Sequence, residues 1–502
     1  MKRLNLTEKL YQLVIGRLDG SMIGSGGYRE KIFGLVDKGI GGFIIFGGSS
    51  HQLKEFIVQC QGRCRTRLFF ASDVERGVGQ QISGATMFPC QMAVAAALRR
   101  DSEGDVMLLR QAVDAIVSEC IDIGINMPLI PVLDVNRNQF NPIICTRAFS
   151  DDPHTVSWLG RLYVEAVEHA GIMCCVKHFP GHGDTAIDSH IALPIIGKTC
   201  QELYDVDLVP FAEAINRGTR GVMVGHLSVP CFDETPATLS HRIVTGLLRK
   251  KYMFDGLIIT DALNMDALSK IDNVPAMCIK AGIDVLLHPL DVDATVDELS
   301  MALKNGIIEQ TQIDLACKRI LAVKDRLNMR PRVIINPRRH AQLSEQLTEM
   351  SITLVKGKGE IFPLPWQARL IIVGEDKLCE ASPLLTYFDK CTNIKELSPP
   401  PSDLSHTAVV IAVFTSIKAW RGNSGLIQGD IDLINGIIGG CHHCVVISFG
   451  SPYVLIHFEA ADILIAAYEE SIHAQLSVIK CLRGEMGFTG CLPVTIKASH
   501  PG

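Results

Sequence analysis

Ile172-Met173-Cys174-Cys175-Val176-Lys177-His178-Phe179-Pro180-Gly181-His182-Gly183-Asp184-Thr185-Ala186-Ile187-Asp188-Ser189-His190 runs five apolar residues straight into three histidines, two carboxylates, a lysine and two glycines. An apolar run without alternation is buried on both faces, as in a parallel strand covered by helices. A core strand edge has no use for the polarity that follows, because each buried group would need its own partner. The reading is a strand that ends at Val176 and releases a functional loop, the way an α/β fold presents side chains to a ligand.

The same punctuation recurs on both sides of this stretch. Short apolar runs lie at 42–46, 68–71, 129–133, 221–224, 257–260 and 285–287. Helical patterns such as 206–217 and 311–327 supply crossovers between them. Strand–helix units repeated over residues 1–330 predict a (β/α)8 TIM-type barrel, with an open doubly wound sheet as the alternative. The polar residues favour the barrel. Asp73 with Glu75, Asp134, Lys177 with His178, His226, Asp261 and His288 each follow an apolar run. In a barrel, such strand ends converge on one face.

Proline and arginine interrupt the helical pattern over 331–337, which is read as a linker. Beyond it, apolar runs at 370–373, 409–414, 445–449 and 463–467 predict a smaller αβα sandwich over 338–502. Phe449-Gly450-Ser451-Pro452 is read as a tight turn after a strand rather than as a ligand loop. None of these strands carries a phosphate-binding glycine fingerprint.

Composition excludes several classes. The chain has 502 residues, 47% hydrophobic and 20% charged, with a net charge of -6. That length exceeds one core, and no basic stripe is present for nucleic acid. No apolar run is long enough for a membrane span. Met1 to Leu10 lacks the apolar core of a signal peptide and reads as a helix capped by Thr7. The 17 cysteines are scattered through apolar and helical runs, as expected of reduced residues in a cytoplasmic protein. Cys441-His442-His443-Cys444 has a metal-like spacing but no second ligand pair nearby, so no metal is assigned to it.

Two stretches concentrate chemistry. Asp261 ends the run 256–260, where a carboxylate is held rigidly as a nucleophile or electrostatic stabiliser requires. It equally suits the N-cap of a helix over 263–269. Asp188 and His190 are two apart, a spacing that lets the carboxylate orient the imidazole for proton transfer; solvated loop residues would look the same. His178, His182, Asp184 and His190 include metal-ligand types, but the ammonium of Lys177 would repel an ion.

Lys177-His178-Phe179-Pro180-Gly181-His182-Gly183 followed by Asp188-Ser189-His190 resembles the signature of family 3 glycoside hydrolases, specifically the bacterial β-N-acetylglucosaminidases. Asp73-Val74-Glu75-Arg76-Gly77, Pro131-Val132-Leu133-Asp134-Val135, Asn141-Pro142 through Arg147-Ala148-Phe149-Ser150, Pro236 to Ser240 and Phe254 to Asp261 are similar to further motifs of the family, in order. Gly484-Glu485 and Gly490 to Val494 resemble its second domain, so nearly the whole chain is covered. The resemblance implies a retaining exo-glycosidase for terminal β-linked N-acetylglucosamine, without cofactor or metal. It implies Asp261 as nucleophile, His190 oriented by Asp188 as acid/base, and Asp73, Arg147, Lys177 and His178 as holders of sugar hydroxyls. Peptidoglycan fragments are the expected source of substrate.

The chain departs from the family at three places. Ala262 replaces a second aspartate, Arg76-Gly77-Val78-Gly79-Gln80 lacks the paired glycines and following arginine of the peptidoglycan-recycling branch, and Cys145-Thr146 precede Arg147 in place of Gly-Asp. The last two leave the leaving group open. Three other readings stand beside the hydrolase: a phosphorylase, since a histidine acid/base tolerates incoming phosphate; a TIM-barrel metallohydrolase; and a carbohydrate-binding protein without turnover. Oligomeric state leaves no mark in the sequence.

Overall fold

The computed structural model describes residues 4–185, 193–327, 335–358, 362–364, 368–374, 381–397, 404–415 and 426–496. Two compact units interleave along the chain. One holds Met1–Phe88, Met107–Val135 and Pro153–Ala341; the other holds Pro89–Val106, Asn136–Asp152 and Gln342–Gly502.

The first unit is built on eight short strands: β1 (Val14–Asp19), β2 (Gly42–Phe46), β3 (Phe69–Ser72), β4 (Met127–Pro128), β5 (Cys175–Phe179), β6 (Gly221–Val224), β7 (Leu257–Thr260) and β8 (Leu286–Leu287). Parallel ladders run in the order β4-β3-β2-β1-β8 and β5-β6-β7. Single parallel bridges, Val132 to Lys177 and Ile259 to Val285, join the two sets at both edges. The ring therefore closes as a TIM-type barrel, and the open-sheet alternative falls. Close packing fixes residue choice in the ring: a Cβ on Gly42 would lie 2.3 Å from the Phe69 carbonyl oxygen.

Several local expectations shift. β5 starts three residues later than read, so Lys177 and His178 lie on the strand itself. β1 was not anticipated, because Gly16 and Arg17 interrupt its apolar run. The N-terminal helix Leu6–Gln12 is capped by Asn5 in a capping box with Glu8, not by Thr7.

The second unit carries a six-stranded sheet of β9 (Thr353–Lys356), β10 (Arg369–Val373), β11 (Lys390–Asn393), β12 (Leu404–Thr415), β13 (Cys441–Gly450) and β14 (Ile463–Ala466). Its order is β11-β10-β12-β13-β14-β9, parallel except for β9 against β14. Side chains alternate between two cores, as period two dictates. Ile371, Val373, Ile411 and Val446 pack with Ile434 and Ile437 of the helix Gln428–Gly440. Leu370, Ile372, Val410 and Ile447 pack with Val478 and Leu482 on the opposite face. This is the expected αβα sandwich. The Phe449–Pro452 stretch is a turn: the Ser451 N–H donates to Thr415 Oγ1 at 3.0 Å before the short helix Pro452–Phe458.

Candidate active site

The barrel gathers polar residues at the C-terminal ends of its strands, where the βα loops leave backbone ends and side chains facing one mouth. Asp73 follows β3, Asp134 follows the β4 segment, Lys177 and His178 end β5, His226 follows β6, Asp261 follows β7 and His288 follows β8.

Lys177 ties β5 to β3. Its ammonium lies 2.6 Å from Asp73 Oδ1 and 2.7 Å from Glu75 Oε1. The lysine and Glu75 side chains are 2% and 4% exposed, whereas Asp73 is 29% exposed. Asp73 is thus the exposed member of this trio, and the ammonium is also held by the buried Glu75.

Asp134 organises the next sector. His178 Nδ1 lies 2.7 Å from Asp134 Oδ2, and the His182 N–H donates to Oδ1 at 2.7 Å. Donation from Nδ1–H to the carboxylate places the lone pair on Nε2. Burial pushes the Asp134 carboxyl upward, but the neighbouring His178 and His182 outweigh it and hold it below its ordinary value. The His182 imidazole meets Thr185 Oγ1 at 2.8 Å. Its own burial, reinforced by His178, pushes it down to about 4, so it is neutral at pH 7.

Asp261 is held by backbone on both sides. Its N–H donates to the Val224 carbonyl at 3.0 Å, and its Oδ1 accepts the Ala262 N–H at 2.8 Å. His226 fixes the following residue, with Nδ1 2.9 Å from Thr238 Oγ1 and Nε2 3.2 Å from the Ala262 carbonyl. The N-cap reading of Asp261 fails, since the next helical turn is Asp266–Leu268 with Met265 before it. Asp261 and Asp73 stand at the C-terminal ends of β7 and β3. Burial pushes the Cys175 thiol up to about 12, opposed by Lys177 and reinforced by both Asp73 and Asp261.

Asp188 and His190 lie outside the described residues. Their described flanks are joined by Lys198, whose ammonium sits 3.2 Å from Asp184 Oδ2 and 3.0 Å from Asp207 Oδ2. Arg147 belongs to the second unit, in the turn Cys145–Arg147, where its Nη1 donates to the Ile143 carbonyl at 3.2 Å. Glu75, Asp134 and His226 were visible as strand-end polar residues but not as partners of the others. Cys441 hydrogen-bonds Cys444 at the start of β13, which lowers its thiol pKa, and among the described residues no three His, Cys, Asp or Glu side chains are grouped to hold a metal.

The profile of the glycosyl hydrolase family 3 N-terminal domain matches residues 5–323. Beta-hexosaminidase A of Pseudoalteromonas piscicida is 31% identical over 421 residues, 74% of this chain and 69% of that protein. A β-N-acetylglucosaminidase/β-glucosidase of Cellulomonas fimi is 25% identical over 517 residues, 92% of this chain and 90% of that one. The solved glycoside hydrolase family 3 β-N-acetylglucosaminidase from Paenibacillus sp. str. FPU-7 has a TM-score of 0.85 at 28% identity, covering 99% of this chain and 100% of that one.

Proposed function

This chain belongs to glycosyl hydrolase family 3, and from that premise we propose that it is a retaining exo-β-N-acetylglucosaminidase whose nucleophile is Asp261. It is a glycoside hydrolase of the β-N-acetylhexosaminidase kind. The observation that supports the nucleophile most strongly is the rigid seat of Asp261 at the end of β7, sharing the barrel mouth with Asp73 and Lys177.

In the proposed cycle Asp73, Lys177 and His178 hold the sugar hydroxyls, with Arg147 as a further contact. An Asp261 carboxylate oxygen bonds to the anomeric carbon as the glycosidic C–O bond breaks, and His190 gives its proton to the leaving oxygen. His190, oriented by Asp188, then takes a proton from water, whose oxygen displaces Asp261 and restores the free carboxylate. Two inversions give retention. We further propose a cytoplasmic setting, supported by free thiols at core residues such as Cys60 and Cys175, with peptidoglycan fragments as substrate.

The test is release of p-nitrophenol from its β-N-acetylglucosaminide, with and without phosphate. Asp261→Ala is expected to lose at least about 10⁴-fold in kcat, the scale on which a covalent nucleophile acts. Full activity in the variant would remove Asp261 from the mechanism. Strong acceleration of the wild type by phosphate would make it a phosphorylase.

A further inference from the structure

The segment before the helical turn Cys200–Glu202 runs beside the segment that follows β6. The Ile196 N–H donates to the Ser228 carbonyl at 2.9 Å, and the Ser228 N–H to the Pro194 carbonyl at 2.8 Å. Each segment then presents a cysteine from a locally fixed backbone. Thr199 caps the turn in a capping box with Glu202, so Cys200 is its first residue. Cys231 stands in a tight turn where the Phe232 and Asp233 N–H groups both donate to the Val229 carbonyl, at 2.9 and 3.0 Å. Past the cysteines, the Tyr204 and Phe232 rings meet edge to face, 5.6 Å between centroids. Contacts on both sides thus hold the two cysteines together.

The Cys200 thiol donates to the Cys231 carbonyl at 2.9 Å, and the Cys231 thiol in turn donates to Cys200 Sγ. Burial, reinforced by that second hydrogen bond, pushes the Cys231 thiol up to about 12. Cysteines such as Cys174 and Cys278 are sealed in the core, whereas Cys200 and Cys231 are both partly exposed. They stand 31 positions apart in the chain, so the fold alone brings them into contact. Thiol–disulfide exchange requires an accessible nucleophile and a second thiol within its reach. This pair supplies both, and neither residue takes part in the proposed cycle.

We propose that Cys200 and Cys231 are a redox modification site, a dithiol that a low-molecular-weight disulfide converts to a cystine. Cys200 Sγ, as thiolate, attacks one sulfur of that disulfide, and the first small thiol leaves. Cys231 then gives up its proton, and its sulfur displaces the second small thiol from Cys200. Each step breaks one sulfur–sulfur bond and forms another. The protein loses two protons and two electrons, which depart in the two small thiols. In a reducing compartment such a bond is transient and responds to redox poise. When formed, it fastens the start of the helical turn to the loop after β6, closing a loop that contains the helix Val209–Asn216 and β6.

The full chain is equilibrated with glutathione at rising ratios of disulfide to thiol, quenched in acid, alkylated with N-ethylmaleimide and mapped without reduction. The expected product is a peptide joining Cys200 to Cys231 that disappears with dithiothreitol. Cys231→Ser is expected to stop at glutathione attached to Cys200, and Cys200→Ser to give neither product. The cystine should raise the melting temperature by about 5 °C over the reduced protein, the scale for closing a loop of this length. That rise should be absent from either serine variant. No joined peptide at a ratio that attaches glutathione to the exposed Cys491 would overturn the proposal, as would a cystine without the rise. The wild-type map decides even where a serine variant fails to fold.

Discussion

At Lys177 an ammonium with almost no exposure stands between Asp73 and Glu75. Removing one partner of a buried pair leaves the other as an uncompensated charge, at about 3–5 kcal/mol. Lys177→Met is therefore expected to destabilise the protein by about that amount, because Glu75 stays buried without its cation. Glu75→Gln keeps the shape and leaves Lys177 its bond to Asp73, so its cost in stability is smaller. Combining the two should recover about 2 kcal/mol relative to Lys177→Met alone, since the stranded carboxylate is gone. Urea unfolding of the three variants measures this. A double variant no more stable than Lys177→Met would mean that Glu75 does not depend on the ammonium. The individual members of this site were legible as polar residues following apolar runs. Their pairing was not, because which strand ends face one another depends on order and register around the ring. Glu75 illustrates the gap: it lies two residues beyond Asp73, and only the three-dimensional structure shows that it backs the lysine from β5.

Strands buried on both faces announce themselves, and β2, β6 and β7 coincide with their apolar runs. Where the two signals separate, the reading slips. Ile172, Met173 and Cys174 are fully buried yet precede β5, and the polar Lys177 and His178 belong to it because a barrel strand aims its last residues at the mouth. After β5 the chain turns at Gly181, whose φ of +129° and closeness to Asp207 admit no side chain; a Cβ there would lie 2.8 Å from the Asp207 Cβ. Asp207 is buried against Lys198, and burial, only partly opposed by that lysine, pushes its carboxyl up from 3.8 to about 6. A carboxyl raised on folding gives stability that is present below the unfolded value and is lost as pH rises through the folded one. Between pH 3 and 7 the wild type should lose about 3 kcal/mol relative to Asp207→Asn, the free-energy equivalent of that shift. His182, pushed down to about 4, acts in the opposite sense over the same range. The comparison must therefore be the difference between wild type and variant at each pH, read from urea unfolding. A difference that stays flat would mean that Asp207 ionises in the folded protein as it does in the unfolded chain.

At the scale of the whole molecule, two stretches inserted in the barrel's sequence, residues 89–106 and 136–152, fold with the C-terminal unit. Met92, Ala93, Ala96 and Cys145 sit in one core cluster with Ile411, Val446 and Tyr453. Polar contacts fasten the same stretches: the Asn136 amide donates to Tyr453 Oη at 2.8 Å, the Cys491 N–H to the Ala96 carbonyl at 3.0 Å, and the Thr495 N–H to Asp151 Oδ2 at 2.7 Å. Linear order hides this, because nothing in the apolar pattern of either stretch says which sheet will cover it. Arg147 lies in the second of them, beside Cys145 of that core cluster. A fragment ending at residue 337 keeps every barrel strand but leaves both stretches without their core. Each large apolar side chain so exposed forfeits about 1.5–3 kcal/mol, and a domain has only about 5–15 kcal/mol to lose. The fragment is therefore expected to aggregate or to unfold at markedly lower temperature, and to release no p-nitrophenol from the N-acetylglucosaminide. Adding residues 338–502 as a separate chain should restore part of both. A monomeric fragment with wild-type turnover would mean that the two stretches need no partner, and that the second unit is dispensable for the chemistry.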